Sequence, residues 1–100
     1  METTINRTGQ TVEIKIAGRV DTIASPGFEQ SLAPIIDERG LDVVIDCSGM
    51  EYISSSGLRV FLTLQKAVAK NGGSLQIVSM NDDIREIFDM TGFSKIFTIK

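Results

Sequence analysis

Residues 42–47, DVVIDC, form a short and almost unbroken apolar run, and a long amphipathic stretch, SGLRVFLTLQKAVAKNGG (56–73), follows soon after. This pairing constrains the fold more than any other feature. Apolar side chains at consecutive positions read as a central strand covered on both faces, as in a parallel sheet. In the stretch that follows, Arg59, Thr63, Lys66 and Lys70 step by four, three and four. Leu58, Phe61, Leu62, Leu64 and Val68 fall largely on the other side. That is helical periodicity, with Lys66 and Lys70 complementing the carboxyl end of the helix dipole and NGG stopping it.

The flanking segments extend the alternation of strand and helix. TVEIKIAG (11–18) places Val12, Ile14 and Ile16 on one face and Glu13 and Lys15 on the other, a half-buried strand. TTINRT before it reads as a weaker strand, joined through a hairpin turn at TGQ (8–10). SPGFEQSLAPIIDERG (25–40) predicts a helix with Ser25 as N-cap, Pro26 in the first turn and Gly40 as its stop. Pro34 should kink or break it near Ala33. LQIVS (75–79) is a further strand, NDDIREIFDMTG a helix capped by Asn81, and KIFTI (95–99) a closing strand. The expected fold class is α/β: one domain over residues 1–100, a mixed central β-sheet opened by an N-terminal hairpin, with helices packed on it.

Composition removes several function classes. The 100 residues are 42% hydrophobic, enough for a core without disulfides, and carry 10 basic against 13 acidic side chains. A net charge of −3 argues against a nucleic-acid binder. There is no histidine and one cysteine, Cys47. The chain alone therefore builds neither a Ser-His-Asp nor a Cys-His system, nor a zinc site of the usual Cys/His type. Cys47 reads as a small buried hydrophobe and suits a reducing compartment. No apolar run approaches a membrane span and METTINRTGQ lacks signal-peptide character, so a cytoplasmic protein without membrane contact is expected. No cofactor is called for, and nothing supplies a general base beside a nucleophile.

Three serines, Ser54, Ser55 and Ser56, stand between the central strand and the long helix. In α/β chains the crevice at the strand carboxyl ends is where binding sites gather. One serine as a helix N-cap is ordinary. Three in a row at a helix N-terminus also suit a phosphoryl group, because free N–H groups and the helix dipole favour negative charge there. Phosphorylation adds about −1.5 to −2 charges at pH 7, which would repel a partner docked at the same spot without disturbing the fold. Capping with a tight turn is the structural alternative for the cluster.

DCSGMEYISSSGLRVFL (46–62) resembles the signature of bacterial anti-sigma factor antagonists, the STAS domain family, and GRVDT (18–22) resembles that family's early glycine-and-aspartate stretch. The order of predicted elements agrees over the whole chain. The resemblance implies a STAS-like fold and a partner switch. The unphosphorylated protein binds an anti-sigma factor that is also a serine kinase, freeing a sigma factor, and a serine phosphatase resets the phosphorylated form. The acceptor position falls on Ser55, and the loop Asp21, Ser54, Ser56, Gly57, Leu58 and Arg59 make up the expected partner-binding surface. Two residues depart from the pattern. Ser54 replaces the motif aspartate, which leaves Ser54 as an alternative acceptor, and Arg59 stands where a small residue is usual. If Ser55 opens the helix, Arg59 lies one turn on, within reach of a phosphate. A receiver-type role for Asp46 lacks the acidic pair such domains need. A scaffold or ligand-sensing module in another circuit is the alternative function. A monomer is expected when free, since no heptad pattern is present.

Overall fold

The computed structural model describes all residues, 1–100. Strand β1 (Glu2–Thr8) pairs antiparallel with β2 (Thr11–Val20) across a two-residue turn whose Gly9 has φ +61°. Then come α1 (Ser25–Ser31), α2 (Ala33–Ile36), β3 (Asp42–Ile53), α3 (Ser55–Lys70), β4 (Ser74–Val78), α4 (Asp82–Met90), a 3-10 turn (Phe93–Lys95) and β5 (Thr98–Ile99). The sheet order is β1-β2-β3-β4-β5, and every pair after the hairpin is parallel. This is the expected mixed sheet with an N-terminal hairpin.

All four helices lie on one face. Val12, Val43 and Leu75 align across β2, β3 and β4, as do Ile14, Ile45 and Ile77, and every one of these side chains is buried. Phe61 of α3 meets Phe28 of α1, Phe88 of α4 and Phe97 of the C-terminal segment, which gathers the helices over that face. The opposite face carries Glu13, Lys15, Val44, Asp46, Gln76 and Val78, half-buried or exposed. The expectation that DVVIDC is covered on both faces is therefore corrected. Val44 is half-buried beside Glu13 and Gln76 of the adjacent strands, and the alternation that marks β2 also governs β3 as far as Cys47.

Other differences have identifiable causes. The predicted helix over 25–40 is two short helices. Pro34 cannot donate to the ladder and its ring crowds the preceding turn, so the chain breaks at Leu32 and Pro34 falls in the first turn of α2. Ser25 is the first helical residue rather than the N-cap, which is Ala24. The second helix ends at Ile36, short of Gly40. Glu38 is drawn to Arg7 of the hairpin, and Gly40, at φ +70°, donates its N–H to the carbonyl of Asn71. The closing strand is reduced to two residues. Phe93–Lys95 turn instead, which drives Phe97 into the aromatic cluster.

The largest correction concerns β3, which runs to Ile53 and not to Cys47. Residues 48–53, expected to lie between the strand and the helix, continue the strand, and Asp46 sits mid-strand. Its carboxylate accepts from the Ser48 N–H at 2.9 Å, and that bond holds its pKa below the usual value. Against β2, the longer strand uses an extra residue twice. Asp46 to Gly49 faces Lys15 to Ala17, and Met50 to Tyr52 faces Gly18 to Arg19. Such bulges shift the side-chain alternation, so the buried positions become Cys47, Met50 and Ile53. Cys47 is fully buried as expected, and burial pushes its thiol up to about 12.

Candidate functional site

The pairing of Val20 with Ile53 ends β2 and β3 side by side. One further bond, from the Ser54 N–H to the Val20 carbonyl at 2.8 Å, ties the start of α3 to the start of the β2–α1 loop. Asp21 and the serine cluster, far apart in sequence, thereby become neighbours.

Each serine has a different environment. Ser54 is the N-cap: its backbone is extended, its Oγ accepts the Gly57 N–H at 3.1 Å, and it is 7% exposed. Ser55 is the first helical residue and is exposed. Ser56 is half-buried, its hydroxyl 3.4 Å from Thr22 Oγ1. With Ser54 occupying the Gly57 N–H and its carbonyl accepting from Leu58 at 2.9 Å, the N–H groups of Ser55 and Ser56 at the start of α3 make no protein hydrogen bond. The first turn of α3 contains no acidic residue, so nothing on the helix already neutralises that end of the dipole.

Asp21 shapes the adjoining loop. Its Oδ1 accepts the Ala24 N–H at 2.8 Å, and its carbonyl accepts both the Ser25 N–H and the Ser25 hydroxyl, at 3.0 and 2.7 Å. Gly57 and Leu58 face inward, so with Ser54 they form the underside of the site and offer no accessible side chain to a partner. A Cβ on Gly57 would lie 2.8 Å from Val20 Cγ1, 2.9 Å from Ile53 Cγ1 and 3.1 Å from the Val20 carbonyl. The glycine is what lets the helix start pack against the two strand ends. Gly57→Ala should therefore cost about 1–3 kcal/mol by overpacking. Thermal unfolding is the check, and an unchanged midpoint would show that the strand ends give way freely.

Arg59 is exposed, and neither of the two ion pairs, Arg7–Glu38 and Arg85–Asp89, involves it. It borders a groove of about 260 Å³ together with Thr22, Pro26, Glu29 and Ser56. A larger depression of about 520 Å³ runs along α1 and α2 and contains none of the motif residues. Sequence reading passed over three residues at this end of the sheet. Arg19 stacks over the Tyr52 ring at 4.4 Å, and Ile23 projects from the loop, 91% exposed. The signal for Ile23 was available: an apolar residue in a turn, outside any strand or helix period.

The sequence profile of the STAS domain family matches residues 2–100. The chain is 34% identical over 88 residues to the anti-sigma-B factor antagonist of Bacillus subtilis, covering 88% of this chain and 80% of that one. Among solved structures it is similar to an anti-sigma factor antagonist from Mycobacterium paratuberculosis, with a TM-score of 0.86 and 22% identity over 98% of this chain and 83% of that one. It also resembles the Bacillus cell fate determinant SpoIIAA in its phosphorylated form, with a TM-score of 0.74 and 17% identity, covering 99% and 91%. No helix is long and apolar enough to cross a membrane.

Proposed function

The chain belongs to the STAS domain family, and from that premise we propose that it is an anti-sigma factor antagonist switched at Ser55. Unphosphorylated, it binds an anti-sigma factor carrying serine kinase activity and so releases a sigma factor. Phosphorylated, it does not bind, and a serine phosphatase resets it. The protein acts by occupying a partner and not by catalysis. The observation that carries the reading is the contrast between neighbouring hydroxyls. Ser55 is exposed at a helix N-terminus without acidic neighbours on its first turn, whereas the Ser54 hydroxyl is buried and engaged as the cap. The 34% identity to an anti-sigma-B factor antagonist supports the same assignment.

The test is a pull-down from lysate of the source bacterium with wild-type, Ser55→Ala and Ser55→Asp proteins, joined to phosphosite mapping of the protein purified from cells. Wild type and Ser55→Ala should retain a kinase-like anti-sigma factor that Ser55→Asp loses, with phosphate on Ser55. Phosphate on Ser54 would move the acceptor. Identical retention by all three proteins would remove the switch.

Arg59 adds a consequence. It lies one turn beyond Ser55 and has no carboxylate partner of its own, so a phosphate on Ser55 offers it a charge-assisted hydrogen bond. An exposed pair of this kind contributes about 0.5–1 kcal/mol. Phosphorylated Arg59→Ala should accordingly lose its phosphate to a serine phosphatase about 2- to 5-fold faster than wild type. Equal rates would leave Arg59 as a solvated side chain.

A further inference from the structure

We propose that Ile23 is the apolar anchor by which the unphosphorylated protein docks into an apolar pocket on its anti-sigma partner. The inference rests on the functional reading above and deepens it, since it assigns partner identity and phosphorylation state to different residues of one surface.

Three observations lead there. The first is exposure. Ile23 is the most exposed of the large hydrophobic side chains, at 91%, and it buries nothing in its own fold. A turn position of this kind favours small or polar residues, so the fold gives no reason for isoleucine.

The second is rigidity. The loop is pinned on both sides of Ile23, by the Asp21 carboxylate on the Ala24 N–H and by the Asp21 carbonyl on Ser25. An apolar side chain held out by a pre-set loop loses little freedom on docking.

The third is position. Thr22, the residue before it, stands beside Ser56 in the groove that Arg59 borders, so Ile23 is continuous with the switch surface. Met90, the next most exposed at 78%, is the last residue of α4 and lines no part of that groove. An exposed apolar side chain next in the chain to a groove lined by hydroxyls and charges has the composition of a protein-binding hot spot.

The test uses the protein partner that wild type and Ser55→Ala retain and Ser55→Asp loses, purified and titrated calorimetrically. Ile23→Thr keeps the β-branched shape but removes apolar surface, and Ile23→Leu keeps apolar surface. Ile23→Thr should bind about 10-fold more weakly or worse, and Ile23→Leu should stay within about 3-fold of wild type. Both should melt with wild type, because the side chain contributes no burial to the fold. If Ser55→Asp weakens binding but Ile23→Thr does not, the anchor is overturned and the phosphorylation switch stands. If no protein distinguishes the Ser55 forms, the functional reading falls and the anchor with it. Sedimentation supplies the remaining outcome: a wild-type dimer that Ile23→Thr abolishes would show that a second copy, not an anti-sigma factor, covers the residue.

Discussion

Phosphorylation of Ser55 is expected to weaken the anti-sigma complex by at least about 100-fold, equivalent to ~2.7 kcal/mol, while the free protein melts at or slightly above its unmodified midpoint. The two halves of this prediction have separate causes. In the free protein the phosphate meets water, the open N–H groups at the start of α3 and the positive end of a sixteen-residue helix. Negative charge there contributes about 0.3–1 kcal/mol of stability. In the proposed complex the same dianion would be stripped of water against a surface that accepts a neutral hydroxyl. Burying an uncompensated charge costs several kcal/mol, which accounts for the loss of affinity without any change of shape. Calorimetric titration and thermal melts of protein phosphorylated only at Ser55 would measure both. A midpoint lowered by several degrees would mean that the phosphate works by loosening the helix, and the docking-switch account would fail.

Phe61→Ala should cost about 3–5 kcal/mol of folding stability, a large part of what a domain of this size possesses. Phe61 is fully buried on α3, with ring centroids 5.8, 5.9 and 6.3 Å from Phe28, Phe88 and Phe97. Among the aromatic rings it alone meets the first helix, the last helix and the C-terminal segment together. Removing the ring leaves a cavity bordered by three other rings. Urea unfolding should show a much lower midpoint with an unchanged slope. Phe93→Ala, at a half-buried ring on the edge of the same cluster, should cost clearly less. Equal losses at the two positions would show that the cluster has no hub.

Most of the architecture was legible because each element carries its own period. Val12, Ile14 and Ile16 fixed β2, the step of Arg59, Thr63, Lys66 and Lys70 fixed α3, and Asn81 marked the start of α4 where its carboxamide accepts the Ile84 N–H. Pro34 announced the break that divides α1 from α2. The far half of β3 was not legible. Its core positions, Cys47, Met50 and Ile53, are three apart, and Ser48 and Gly49 between them look like a loop. A strand recognised by period two disappears once bulges insert extra residues, and the bulges exist only because a partner strand is there to count against.

The same division holds for the site. Sequence by itself determined that a serine cluster opens a helix after a parallel strand, that the chain has no histidine for catalysis, and that the segment fits the STAS pattern. These are local properties of residue type and spacing. That the Ser54 hydroxyl is the buried cap while Ser55 is exposed, how the Asp21 loop expected beside them is tied to the helix start, and that Ile23 faces solvent from a pinned loop were decided by tertiary structure. They depend on where β2 and β3 end relative to each other. That register is set by the whole sheet, through the Val20–Ile53 pairing and the Ser54 N–H that closes on the Val20 carbonyl, and no single stretch of the chain contains it.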